Sequence, residues 1–183
     1  MSGYWRERFP VWLFVPVAGA LAAVAHDRGS TRAWLLDSLF ALSLLAQFRL
    51  WDDLADRASD AQLHPSRVLV RAFDVSNYEV LCTALGLTNL LVASLRGPDF
   101  TSLGVLIALD AAFGTWYARR DAHTPWGDLL LLSKYPMFVL IVAAGPARDL
   151  AALVPDLLTV YIAACVFEVV HDPRSPLRTG AAR

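Results

Sequence analysis

Six apolar runs, each close to the length of a membrane crossing, constrain this chain more than any other feature. A hydrocarbon core of about 30 Å takes roughly 20 residues of helix, with about 17 to 25 as the working range. The runs are 10–25, 33–51, 77–95, 100–118, 128–145 and 154–170. Helix breakers separate them: Gly29-Ser30, Gly97-Pro98, Pro125-Trp126-Gly127 and Gly145-Pro146. Over 183 residues the chain is 56% hydrophobic and 18% charged, with a mean hydropathy of +0.45. A soluble domain usually carries about a quarter charged residues. The expected fold class is therefore an all-α integral membrane protein, a single domain over 1–183 built as a bundle of six transmembrane helices.

Charge excludes one class and orients another. A net charge of −1 leaves no basic excess for phosphates along a duplex, so no nucleic-acid partner is expected. Cytoplasmic loops retain Lys and Arg preferentially. With the N-terminus inside, the cytoplasmic segments hold Arg6, Arg8, Arg49, Arg57, Arg67, Arg71, Arg119, Arg120, Arg174, Arg178 and Arg183, against Arg28, Arg32, Arg96 and Arg148 outside. Both termini are expected to be cytoplasmic, in a multi-pass protein of a bacterial plasma membrane. Trp5, Trp12, Trp34, Trp51, Trp116 and Trp126 fall at or near run boundaries, where interfacial aromatics sit. Cys82 and Cys165 lie inside apolar runs and read as small core residues.

The chemistry-bearing stretch follows the second run: Arg49-Leu50-Trp51-Asp52-Asp53-Leu54-Ala55-Asp56-Arg57-Ala58-Ser59-Asp60. If the helix continues beyond the membrane, Asp52, Asp56 and Asp60 recur every fourth residue on one face, with Asp53 at its border. Like charges at that spacing weaken a helix by a few tenths of a kcal/mol per pair, which invites a counter-charge. Mg²⁺ answers that description, because it takes oxygen ligands from one or two carboxylates, waters and phosphate oxygens. The alternative is a salt-bridged helix end in which Arg49 and Arg57 neutralise the aspartates. A basic segment with His64, Pro65, Arg67 and Arg71 follows within a dozen residues.

These residues resemble the first aspartate-rich motif of the UbiA superfamily of intramembrane prenyltransferases. That motif reads Asn or Asp, Asp, two residues, Asp, three residues, Asp, after the second transmembrane helix. Asp52, Asp53, Asp56 and Asp60 match it position by position, with Asp52 in place of the commoner Asn. Arg49 is similar to an Arg that often precedes the motif, and His64-Pro65-Ser66-Arg67 to an Arg-Pro-like segment after it. The resemblance implies that Asp52, Asp53, Asp56 and Asp60 are catalytic residues holding Mg²⁺ and, through it, the diphosphate of an isoprenoid donor. Arg49, Arg67 and Arg71 are then candidate diphosphate clamps. The implied reaction is transfer of an isoprenyl group from the allylic diphosphate to a lipid-soluble acceptor, with the metal neutralising the leaving group and an apolar cavity excluding water.

Two departures accompany the resemblance. Members of that family continue beyond a sixth helix, whereas the sixth apolar run here is the last. A second copy of the chain, or another membrane subunit, is expected to close the bundle among the membrane lipids. The family's second motif, Asp-xxx-Asp, has a weak counterpart in Glu168 and Asp172, which share its spacing and enter as candidate metal ligands. The missing helices also motivate a second reading: a non-catalytic or accessory membrane protein that retains an isoprenoid-diphosphate-binding half-site.

Within the spans, Asp110 lies near the middle of the fourth run and Lys134 in the cytoplasmic half of the fifth. Charges at such depths face a bundle interior and find partners, so an Asp110 and Lys134 pair or shared cavity is expected, with Pro136 bending the helix nearby. Tyr78 and Glu79 are expected beside the acidic stretch. Asp37, nearer the opposite end of the second run, is expected to be hydrated. Asp121, His123 and Asp128 are expected to be solvated loop residues.

Overall fold

The computed structural model describes residues 2–26, 30–119, 124–143, 150–172 and 175–180, and among them it contains helices and no strand. The helices are α1 (Ser2–Arg8), α2 (Val11–Ala25), α3 (Thr31–Ala55), α4 (Arg57–Leu63), α5 (Val68–Arg71), α6 (Ser76–Ser94), α7 (Thr101–Arg119), α8 (Pro125–Leu132), α9 (Lys134–Ala143), α10 (Val154–His171) and α11 (Pro176–Thr179). Among the described residues each apolar run is largely helical. The breakers Gly29 and Gly145-Pro146, the arginines Arg28, Arg120, Arg148, Arg174 and Arg183, and Asp121 and His123 lie outside the described residues.

Among the described residues three stretches are long and apolar enough to cross a membrane: Thr31–Ala55, Pro125–Ala143 and Ala151–His171. Val11–Ala25 is apolar but shorter. The 19-residue α6 and α7 have the length but interleave polar side chains such as Asn77, Glu79, Thr83, Thr88 and Asn89 with the apolar ones. Large apolar side chains point outward along these helices. On α10 no residue is buried, and Leu158, Ile162, Val166 and Val170 form an exposed stripe at four-residue spacing. Contiguous exposed apolar surface of this kind marks a lipid or protein contact rather than a water-facing helix.

The chain divides into two compact units, Met1–Val92 and Ala93–Arg183. In the first, α2 and α3 pack as a hairpin. Gly19 permits the close approach: a Cβ there would sit 3.2 Å from the Trp34 ring, whose Nε1 donates to the Gly19 carbonyl at 3.2 Å. Where α2 ends and α3 begins, the Asp37 carboxylate is buried and pairs with His26 Nδ1 at 2.8 Å, which corrects the expectation that Asp37 is hydrated. Further along α3, Asn89 of α6 donates to Gln47 Oε1 at 2.7 Å, a buried amide pair of the sort that ties helices together where water is scarce.

The second unit packs α7 and α10 against α9. Thr124 caps α8, its Oγ1 accepting from the Gly127 N–H at 3.0 Å. Pro136 does disturb its helix. It lacks the N–H that would bond four residues back, and the helical run breaks at Ser133, between α8 and α9. The carbonyls at the C-terminal end of α9 are satisfied from outside the helix: Arg96 Nη2 donates to the Val142 carbonyl at 2.7 Å and Ser102 Oγ to that of Ile141 at 2.8 Å. Asp128 lies in the first turn of α8 and is buried, so it is not the solvated loop residue expected.

Candidate functional site

The backbone carries the aspartate string on the helical path that a shared face requires. Asp56 N–H donates to the Asp52 carbonyl at 2.9 Å, Asp60 N–H to that of Asp56 at 2.8 Å and His64 N–H to that of Asp60 at 2.7 Å. The helical path of α3 thus runs on through α4 in the i to i−4 pattern. The carboxylates do not splay into solvent. Asp52, Asp53 and Asp60 are buried and Asp56 is half-buried.

Counter-charges arrive from both flanks of the string. Asp53, 4% exposed, receives Arg8 Nη2 on Oδ1 at 2.5 Å, Arg8 Nε on both oxygens at 3.1 and 3.2 Å, and the Tyr4 hydroxyl on Oδ2 at 3.0 Å. Arg49 Nε lies 3.5 Å from the same Oδ2, one helical turn away. Arg67 binds Asp60 through its Nη1. Arg57, expected to neutralise an aspartate, instead donates to the carbonyls of Leu69 at 3.0 Å and Ala72 at 2.8 Å, closing the C-terminal end of the one-turn helix α5.

Tyr4 and Arg8 are the residues that sequence reasoning missed as partners of the string. They stand four apart on α1, so one helix face delivers both to Asp53. Tyr4 is fully buried in an apolar cluster with Leu50, Leu69 and Tyr78, its ring edge-on to Tyr78 at 5.6 Å between centroids. Burial, reinforced by the neighbouring Asp53 carboxylate, pushes the Tyr4 phenol well above its ordinary range. A raised phenol favours the folded state below the ordinary tyrosine pKa of about 10 and loses that contribution as pH climbs beyond it. Wild-type stability is therefore expected to fall more steeply than that of Tyr4→Phe above pH about 10, measured by thermal melts in detergent. Equal slopes would contradict this.

Magnesium can be tested against this donor set. Carboxylate oxygens suit it chemically, but the string does not present four open ligands: Asp53 is surrounded by Arg8, Arg49 and Tyr4, and Asp60 is paired with Arg67. Among the described residues no three metal-ligating side chains converge. The four aspartates as a set do not fit a magnesium cluster in this arrangement.

A cavity of about 430 Å³ opens beside the string, lined by Leu54, Ala55, Arg57, Ala58, Ala61, Val70, Val75 and Glu79. Leu54, Ala58 and Ala61 occupy the helix face turned away from Asp52, Asp56 and Asp60. Its walls are mixed, with apolar side chains beside the charged Arg57 and Glu79. Val70 comes from α5, whose flanking Arg67 and Arg71 stand one turn apart, the Arg71 N–H donating to the Arg67 carbonyl at 3.0 Å. Arg71 is exposed, and Arg67 commits one nitrogen to Asp60. Glu79 lines the cavity while Tyr78 packs in the apolar cluster.

The remaining candidates belong to the second unit. Glu168 and Asp172 are half-buried at the end of α10, one turn apart, with the Asp172 N–H on the Glu168 carbonyl at 2.9 Å. Lys134 opens α9 and is buried, its ammonium 5.8 Å from the Tyr135 ring centroid. Asp110 is half-buried on α7, which packs against α9. Compared with protein-family models, curated proteins and solved structures, the chain matches none.

Proposed function

We propose that this chain is a UbiA-like, multi-pass protein of a bacterial plasma membrane that binds an isoprenoid diphosphate. Its six apolar helices span the bilayer, with both termini cytoplasmic and the aspartate string at the cytoplasmic surface. The observation that carries the reading is the open cavity beside α5. A space of about 430 Å³ falls in the range of small-ligand pockets, and its apolar side chains, interrupted by Arg57 and Glu79, offer part of the contact surface an isoprenyl chain needs. Arg71, exposed on the helix that also carries Val70, is the guanidinium the reading assigns to the phosphate oxygens, with Arg67 beside it engaged by Asp60. Because Asp53 and Asp60 already hold arginines, the accessory, non-catalytic form of the reading is favoured.

Prenyl transfer to a lipid-soluble acceptor is the second reading. It is favoured by Asp52 and Asp56, two carboxylates one turn apart at the end of a membrane-length helix, the number that Mg²⁺ commonly takes from a protein. Glu168 and Asp172 would join that reading as a second metal motif, and a second copy or another subunit would complete the bundle. One assay separates the two. Purified protein in lipid nanodiscs receives radiolabelled geranyl diphosphate with and without magnesium chloride. The accessory reading expects retention of intact ligand, with no diphosphate released. Magnesium-dependent release of diphosphate, with the geranyl label appearing on an added lipid-soluble phenolic acceptor and both lost in Asp52→Asn and Asp56→Asn, would establish the transferase instead.

A further inference from the structure

We propose that Asp53 is the anchor of a clasp that fastens the N-terminal helix α1 to the end of α3, and that it is not a metal ligand. This departs from the role its place in the string implies, and it holds whether or not the chain binds an isoprenoid diphosphate.

The carboxylate is saturated. Both oxygens accept from Arg8, one also from the Tyr4 hydroxyl, and the Arg49 guanidinium stands 3.5 Å away. A divalent cation at Asp53 would have to displace Arg8 and then sit among two guanidinium charges in a poorly hydrated pocket, where like charges repel most strongly. Helix α1 needs such a fastening. Seven residues are far too few to hold a helix in isolation. Its other holds include the Tyr4 and Trp5 rings at the apolar cluster, a Val68 N–H on Glu7 Oε1 at 3.3 Å, and Gly3 packed on Val68. Asp60 repeats the device downstream, where Arg67 ties the residue preceding α5 to α4. Two of the four carboxylates thus staple the segments on either side of the membrane hairpin to its charged end.

Hydrogen exchange on the full chain in nanodiscs tests the clasp, with amides of residues 2–9 as the reporter and those of α10 as the internal reference. Arg8→Ala and Asp53→Asn are each expected to speed exchange in 2–9 by about tenfold or more, while α10 is unchanged. Asp52→Asn is expected to leave 2–9 within about twofold of wild type. Magnesium chloride at millimolar concentration is expected to leave the wild-type rates unaltered. Should Asp53→Asn disturb α10 as well, Arg8→Ala alone decides, since its partly exposed side chain can be removed without opening the core. The proposal is overturned if Arg8→Ala leaves residues 2–9 as protected as before. It is equally overturned if magnesium itself speeds their exchange, because the ion would then be taking Asp53 from Arg8.

Discussion

Replacing Asp53 with alanine is expected to destabilise the protein by about 3–5 kcal/mol, the cost of removing one partner from a buried ion pair. The magnitude follows from what stays behind. Arg8 and Arg49 would keep their charges in a pocket that excludes most water, and the Tyr4 hydroxyl would lose its acceptor. Arg8→Ala should cost less, because Arg49 and Tyr4 still satisfy the carboxylate. The two effects should not add: a double-mutant cycle by chemical denaturation in detergent is expected to give a coupling of about 1–3 kcal/mol. A coupling under about 0.5 kcal/mol would mean that the pair contributes nothing specific.

The second large effect lies in the other unit and separates side chains packed among helices from side chains turned outward. Phe138 on α9 is 0% exposed, and Phe167 on α10 is 50% exposed. Phe138→Ala is expected to cost about 3 kcal/mol, since the void forfeits the packing contacts of a whole ring. Phe167→Ala should change stability by less than about 0.5 kcal/mol, as for surface positions generally. If both cost the same, the outward face of α10 would be a covered surface instead of one bathed in lipid or detergent.

How far the sequence foretells this structure depends on the range of the interaction. Local patterns carried over well. The condition for Asp52, Asp56 and Asp60 to share one face was a helix that continues past the apolar run, and the backbone hydrogen bonds meet it. Pro136 foretold a disturbance that the structure puts at Ser133. Pairings across long stretches of chain did not carry over, because nothing in a local window reports them. Arg8 read only as a charge orienting the first span, yet it lies on Asp53, 45 residues away. Arg57 sits within the string and looked like its neutraliser. A guanidinium satisfies carbonyls as readily as carboxylates, and the unpaired end of α5 lay in reach. Asp37 was expected to be hydrated, yet it is buried against His26, a partner that its own neighbours in sequence do not report.

The candidate site shows the same division. Its carboxylates and arginines were visible as residue types at the right spacing, whereas their mutual neutralisation depends on side-chain geometry. The cavity was not visible at all. It arises where Leu54, Ala58 and Ala61 meet Val70 and Val75, five ordinary apolar residues that become a surface only when three helices and a loop converge.

Equilibrium binding of radiolabelled geranyl diphosphate to the purified protein in nanodiscs, with geraniol and inorganic diphosphate as competitors, tests the central claim most directly. Saturable binding is expected, weakened about tenfold or more by Arg67→Ala with Arg71→Ala, the loss of charge-assisted donors to phosphate. Ala58→Trp is expected to weaken it comparably by filling the cavity from an exposed backbone position. Binding that is absent in the wild type, or that is indifferent to both the arginine pair and the filled cavity, would contradict the account.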